Sequence, residues 1–142
     1  MVNILDVASY ILAKKGPMTA MKLQKLVYYA QVWSLVWDEA LLFRNRIEAW
    51  ANGPVAPTLY RAHRGKFKVS HIQGGNSRKL NQTQKETVNA VLNYYGDKSS
   101  QWLSDLTHSE AAWVDARNGL APGQRGDREI TRVAMAEFYG SL

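Results

Sequence analysis

The side chains in this sequence best suited to acid–base catalysis or metal binding are three histidines, His63, His71 and His108. None belongs to an HExxH pair, and none has a carboxylate at the spacing that metal ligands use. The absence of cysteine excludes thiol catalysis and zinc sites built on thiolates. The sequence also contains no GxSxG elbow, Walker loop or GxGxxG run. We therefore expect no catalytic residues, no metal site, no cofactor and no enzymatic activity.

Positive charge, rather than a catalytic set, is the feature that indicates a partner. The chain carries 18 Lys and Arg against 12 Asp and Glu, a formal net charge of +6. Residues 44–79 hold eight of the bases and a single acid, Glu48. Such a surplus favours an acidic partner, either nucleic acid or the acidic face of a protein, and it fits an ordinary solvated surface equally well.

The composition indicates one soluble globular domain over residues 1–142. Of the 142 residues, 46% are hydrophobic and 21% are charged, which is enough for one core. No apolar run approaches the length of about 18 residues that a membrane span requires, and residues 1–20 do not have the pattern of a signal peptide. We expect a cytoplasmic protein with no membrane partner.

Two helices are predicted at the start of the chain, and the second would carry three polar side chains near its N-terminus. Residues 3–15 place apolar side chains at helical spacing, with Asn3 as the N-cap and Gly16-Pro17 as the stop. Residues 19–38 follow with Thr19 as N-cap and two adjacent apolar rows, which is typical of the central helix of a bundle. Three polar side chains near the start of this central helix are expected to reach solvent: Lys22, Gln24 and Lys25.

The pattern is weaker in the next part of the chain. Residues 41–43 and 47–50 are each compatible with a short strand, and the second also with a turn of helix. Gly53-Pro54 forces a bend, because glycine adopts positive φ and the residue before proline avoids the helical region. Residues 55–64 are then predicted to restart as a helix with Pro57 in its first turn.

The second half of the chain is predicted to be mostly helical. Residues 66–70 alternate as in an edge strand, and residues 73–77 have the composition of a flexible loop. Four helices are expected after this loop: from Asn81 or Thr83 to Gly96; Gln101–Leu106 with Ser99 or Ser100 as cap; Glu110–Arg117 with Ser109 as cap; and a last helix capped by Thr131, with Val133, Ala134, Phe138 and Tyr139 on its inner side. The predicted fold is mainly α, a compact helical bundle of five to seven helices with a minor β-hairpin or short strands.

The first two helices also have the outline of a helix-turn-helix. Residues 11–30 combine a helix, a Gly-Pro turn, a threonine cap and a second helix. Only Lys22, Gln24 and Lys25 would face DNA, since the rest of the second helix is apolar on two sides. A DNA-binding transcriptional regulator therefore stays an alternative, and it predicts nucleic-acid affinity that falls steeply with salt.

Four groups of residues follow one another in an order that points to a known family. They are Leu23–Trp33 (LQKLVYYAQVW), Leu42-Phe43, Ile47–Val55 (IEAWANGPV) with Pro57 and Tyr60 behind it, and Leu106–Trp113 (LTHSEAAW). Together they resemble the Panacea domain, the SocA-like antitoxin family, which is also found in phage and mobile-element proteins. The resemblance extends over nearly the whole chain, although residues 66–80 match no fixed motif.

This resemblance implies a protein-binding function rather than a reaction. Similar proteins are antitoxins that neutralise a co-encoded toxin, usually by binding it, whereas the SocA type delivers its toxin to a cytosolic protease. The implied partners are therefore a cognate toxin and, for the SocA type, a protease. The family-pattern residues, by position, are Lys25, Tyr29, Trp33, Trp50, Gly53, Pro54, Val55, Tyr60, His108 and Trp113.

A basic surface near Trp50 is the predicted interface, because a toxin that acts on nucleotides or RNA would be blocked by a surface complementary to its active site. Trp50 lies beside the Gly53-Pro54 bend and within the basic stretch, where aromatic and Arg side chains are typical of interface anchors, although a core position fits as well. Trp33 and Trp113 are expected in the core. The predicted partner-binding residues are Arg44, Arg46, Trp50, Tyr60, Arg61 and Arg64. A proteolytic adaptor, or a phage protein that counters a host defence, stays open beside the antitoxin and the regulator, and the sequence does not indicate an oligomeric state.

Overall fold

Side-chain caps fix where most of the helices begin. The computed structural model describes residues 2–142. Asn3 accepts hydrogen bonds from the backbone N–H groups of Leu5 and Asp6, and Asp6 in turn accepts from the N–H of Asn3, so α1 begins with a capping box. Asn81 forms a second capping box, and the side chains of Thr19, Ser99 and Thr131 each accept one backbone N–H at the start of a later helix. The helices of the described residues are α1 (Ile4–Lys15), α2 (Ala20–Trp37), α3 (Pro57–His63), α4 (Gln82–Tyr95), α5 (Ser100–Ser109), α6 (Ala111–Ala116) and α7 (Arg132–Gly140), with a 3₁₀ turn at Ser77–Lys79.

The fold is mainly α, as predicted, and α2 is its centre. It packs against α1, α4, α5 and α7, and most of its residues are buried. The two predicted apolar rows are buried over most of their length, since Leu23, Leu26 and Val32 are almost completely buried, but Trp37 at the end of the first row is 51% exposed. None of the helices within residues 2–142 is long and apolar enough to cross a membrane.

The prediction that Gln24 and Lys25 reach solvent is wrong. Gln24 is 2% exposed and Lys25 is fully buried, because the start of α2 is covered by α5 and by the hairpin around Gly53. Of the three polar residues near this end, only Lys22 keeps partial exposure. A helix covered in this way cannot present these side chains to a DNA groove, so the structure does not support α2 as a recognition helix.

Two small antiparallel sheets complete the fold. Strands β2 (Glu48–Trp50) and β3 (Gly53–Val55) form a hairpin in which Trp50 pairs with Gly53. Strands β1 (Met18–Thr19) and β4 (Lys68–Val69) pair across the start of α2. The predicted edge strand at 66–70 is therefore present but shorter, and the segment at 47–50 contains a strand, Glu48–Trp50, rather than a helical turn.

Residues 41–43 form no strand. Backbone groups of this segment are hydrogen-bonded to a side chain of α2 instead of to a neighbouring strand. The side-chain oxygen of Gln31 accepts from the backbone N–H of Leu42, and its amide donates to the carbonyl of Phe43. The segment at 73–77 is likewise held in place: Asp6 accepts from the backbone N–H of Asn76. The predicted loop is present up to Asn76, where this hydrogen bond anchors it to α1.

Two details near the C-terminal helices also differ from the prediction. Ser109 does not cap a helix; it is the last residue of α5 and donates to the carbonyl of Leu106, so α6 begins after Glu110 without a side-chain cap. Val133 is exposed, because α7 turns positions 135 and 139 inward and leaves Val133 on the opposite side.

Candidate functional site

Lys25 is the most unusual side chain of the structure. Its ammonium nitrogen is buried and has no hydrogen-bond partner. Burial removes water from the ammonium group and lowers the pKa of Lys25 to about 8. Gly53 lies directly against it: a Cβ atom on Gly53 would stand 2.7 Å from Lys25 Cε. Gly53 also has a φ of +118°, so both the backbone and the space require glycine.

His108 lies beside this lysine, on α5. Its Nε2 atom is buried without a partner, and its ring lies 4.4 Å from the ring of Trp113, centroid to centroid. Burial, and then the positive charge of Lys25, lower the pKa of His108. The Trp113 indole N–H donates to the carbonyl of Trp50 at 2.9 Å, which ties α6 to the hairpin. We call Lys25, Gly53, His108 and Trp113 the polar layer.

A second buried polar group centres on Glu110, which the sequence analysis did not single out. The hydroxyls of Tyr29 and Tyr139 donate to one carboxylate oxygen of Glu110, at 2.6 and 2.7 Å. Because Tyr139 uses its proton there, the hydroxyl of Tyr28 must donate to Tyr139, 2.9 Å away. Burial raises the pKa of Glu110, and the two tyrosine hydrogen bonds oppose that rise. The signal in the sequence was a glutamate at the start of an apolar run, but its tyrosine partners lie on distant helices.

Gln24 is buried because its side chain forms hydrogen bonds that join α2 to α3. Its side-chain oxygen accepts from the backbone N–H of Ala56 at 2.9 Å, and its amide nitrogen lies 3.0 Å from His63 Nε2. The amide nitrogen is a donor, so His63 Nε2 accepts and the ring proton sits on Nδ1. Burial lowers the pKa of His63, which favours this neutral form.

An open groove of about 670 Å³ lies beside the polar layer, between the start of α2, the end of α3 and α5. Phe67, 84% exposed, stands at its edge with Arg64 and Lys66. We call it the Phe67 groove. It is lined by Thr19, Ala20, Met21, Asn52, Tyr60, His63, Arg64, Gly65, Lys66, Phe67, Ser100, Gln101, Ser104 and His108.

The predicted partner-binding residues lie in more than one place. Tyr60 and Arg64 line the Phe67 groove. Trp50 contacts Tyr60 edge-on, with ring centroids 5.0 Å apart, and faces a neighbouring cavity that also holds Arg125 and Asp127. The structure therefore brings Trp50, Tyr60 and Arg64 side by side.

The remaining predicted arginines lie outside the Phe67 groove. Arg44 and Arg46 line a separate depression, and Arg46 forms ion pairs with Glu48 at 2.8 Å and Glu129 at 3.8 Å. Arg61 donates to the hydroxyl of Thr58.

Most family-pattern residues take structural positions. Pro54 and Val55 are buried in β3. Trp33 and Trp113 are half-buried at the edge of the hydrophobic cluster rather than enclosed in it. The indole N–H of Trp33 donates to the hydroxyl of Tyr95, whose ring stacks on Tyr29. Within residues 2–142, no three histidine or carboxylate side chains are placed to hold a metal ion.

Of the comparisons with known proteins, only that with family models gives a match. No curated protein and no solved structure gives a significant match to the chain. The family model described as antitoxin SocA-like, Panacea domain matches residues 23–114. That match contains the polar layer, Glu110 and most of the Phe67 groove, and it covers more than half of the sequence. The chain therefore belongs to the SocA-like antitoxin family with a Panacea domain.

Proposed function

We propose that this protein is an antitoxin that neutralises a co-encoded toxin by binding it directly. The observation that carries the proposal is the family match over residues 23–114. The groove supports it, because an exposed aromatic side chain beside basic residues is typical of a protein-binding surface.

Binding rather than catalysis is also the better account of the unusual side chains. The two unpartnered atoms, Lys25 Nζ and His108 Nε2, are buried away from solvent, although the His108 ring also borders the Phe67 groove. A general base or nucleophile must come within hydrogen-bond reach of its substrate. We therefore assign the polar layer to the fold and propose no reaction.

Co-expression with the adjacent open reading frames tests this function. Each neighbour is induced alone and together with this chain, and growth and affinity co-purification are scored. We expect one neighbour to arrest growth, this chain to restore it, and the two proteins to purify as a stable complex. A variant with charge in the core, Leu26→Asp, is the negative control, because Leu26 is completely buried.

Two outcomes would contradict the proposal. If growth recovers while the neighbour protein disappears, the chain acts by promoting degradation instead of forming a neutral complex. If no neighbour is toxic, the antitoxin function itself is wrong.

A further inference from the structure

The Phe67 groove presents an aromatic side chain on a backbone segment that the fold holds in place. The backbone carbonyl of Phe67 accepts from the N–H of Ala20 at 2.9 Å, and the next residue, Lys68, pairs with Thr19 in the β1–β4 sheet. The ring itself is 84% exposed. Because its backbone is already fixed and phenylalanine has only two side-chain torsions, Phe67 loses little conformational entropy when a partner covers it, so it is suited to be an anchor.

The charges around this anchor have one sign. Arg64 and Lys66 are exposed at the groove, and no aspartate or glutamate is among its lining residues. The carboxylate of Asp105, on α5, does not line the groove and accepts a hydrogen bond from Gln101. An occupant that places carboxylates beside Arg64 and Lys66 gains attraction there, whereas carboxylates beside Gln101 would meet Asp105.

We propose that the Phe67 groove binds an extended acidic segment of the toxin. One apolar side chain of that segment packs on Phe67 and Met21, and its carboxylates pair with Arg64 and Lys66. This inference rests on the proposed antitoxin function and adds the docking site and the chemistry of the bound segment.

A peptide fits the groove better than nucleic acid does. Tight binding of nucleic acid depends on many basic contacts along its phosphate backbone. Among the residues that line the groove, only Arg64 and Lys66 are cationic at neutral pH. Burial lowers the pKa values of His63 and His108, so both histidines are neutral there. The groove instead combines a few charges with apolar side chains, as a peptide with one anchor requires.

The test uses the purified toxin and two groove variants of the full chain. Phe67→Ala removes the anchor, and the double variant Arg64→Glu with Lys66→Glu reverses the charge. Isothermal titration calorimetry at physiological salt should show affinity losses of about tenfold for the first and more for the second. The affinity of the charge-reversed variant should also depend less on salt than that of the unmodified chain.

Matched controls separate the groove from general effects. Arg78→Glu with Lys79→Glu makes the same change of net charge at an exposed site outside the groove, and Val133→Ala trims an exposed apolar side chain on α7. Both should bind the toxin within about twofold of the unmodified chain. Thermal unfolding monitored by circular dichroism checks that all variants fold.

A photocrosslinker, benzoylphenylalanine at the exposed groove residue Gln101, should attach to a toxin segment that contains several acidic residues. Attachment to a segment without acidic residues would overturn the inference, as would unchanged affinity in both groove variants while the unmodified chain binds. In those cases the antitoxin function stands and only the docking site is wrong.

Three other outcomes overturn the inference by identifying a different occupant or none. Fluorescence anisotropy with a labelled single-stranded RNA would assign the groove to nucleic acid if its binding is stronger than toxin binding and is lost in Phe67→Ala. Sedimentation would assign it to a second copy of the chain if a dimer dissociates in that variant. If no neighbour protein binds the unmodified chain, the function and the docking site fail together.

Discussion

Replacing Lys25 with methionine should make the protein more stable at neutral pH. The ammonium group is buried without a hydrogen-bond partner, so the folded state holds the proton less tightly than the unfolded chain does. Methionine has a similar length and volume and leaves no cavity of consequence. The substitution therefore removes a buried charge while it keeps the packing against Gly53.

The pKa of Lys25 sets the size of this effect. A fall from 10.5 to about 8 corresponds to a cost of roughly 3 kcal/mol in the free energy of unfolding wherever the lysine is protonated in both states. The unfolded state binds more protons between these two pKa values, so stability rises with pH through that window. The cost is fully present below pH 8, and at pH 9 it is about 2 kcal/mol. We expect Lys25→Met to gain about 1–3 kcal/mol at pH 7.

Urea unfolding at pH 7 and pH 9, followed by far-UV circular dichroism, measures both parts of the prediction. The unmodified chain should gain about 1 kcal/mol between these pH values, and Lys25→Met should show almost no change. The buried tyrosines have raised pKa values and lower the stability only above about pH 10, where unfolded tyrosine ionises. Lys22→Met, at a half-exposed position on the same helix, is the control and should change stability by less than about 0.5 kcal/mol.

A lower stability of Lys25→Met than of the unmodified chain at pH 7, together with no rise in the stability of the unmodified chain toward pH 9, would contradict this prediction. That result would mean that the ammonium group has a strong partner in solution and that its charge stabilises the fold.

Two further predictions concern the buried contacts of the site. Tyr29→Phe should destabilise the fold by about 1.5–3 kcal/mol, because it removes a donor from the buried carboxylate of Glu110. Tyr28→Phe removes a hydrogen bond between neutral hydroxyls and should destabilise the fold by about 1 kcal/mol. Chemical denaturation measures both losses, and equal losses would contradict the assignment of donors. Gly53→Ala should lower the melting temperature more than Gly123→Ala does. Both glycines have positive φ, but only at position 53 would a Cβ atom meet Lys25. Equal losses in thermal melts of the two variants would show that contact with Lys25 adds nothing to the effect of the backbone.

Local sequence signals were sufficient where the structure is determined by neighbouring residues. Asn3, Thr19 and Thr131 cap helices as predicted, because an N-cap satisfies backbone donors only two or three residues ahead. The two apolar rows of α2 also predicted its central position correctly. In each case the sequence signal is contained in one segment, although the side chains that bury α2 come from α1, α4, α5 and α7.

Burial of polar residues could not be predicted in this way. Gln24 and Lys25 look like solvent-facing positions on α2, and only the packing of β3 and α5 over them reverses that expectation. The interface hypothesis had the same limit: Trp50 and Tyr60 are neighbours as expected, but Phe67 entered the sequence analysis only as a strand residue. Its prominence depends on the pairing of Lys68 with Thr19, which lie far apart in the sequence.

The hydrogen bond between Tyr139 and Glu110 has a consequence for synthesis on the ribosome. The central helix α2 and Glu110 are translated well before Tyr139, which supplies one of the two donors to that carboxylate. A nascent chain that has docked α2 against α5 still lacks this donor, and Tyr28 also lacks its hydroxyl partner. The centre of the fold is thus made early but becomes fully hydrogen-bonded only when α7 emerges from the ribosome and docks.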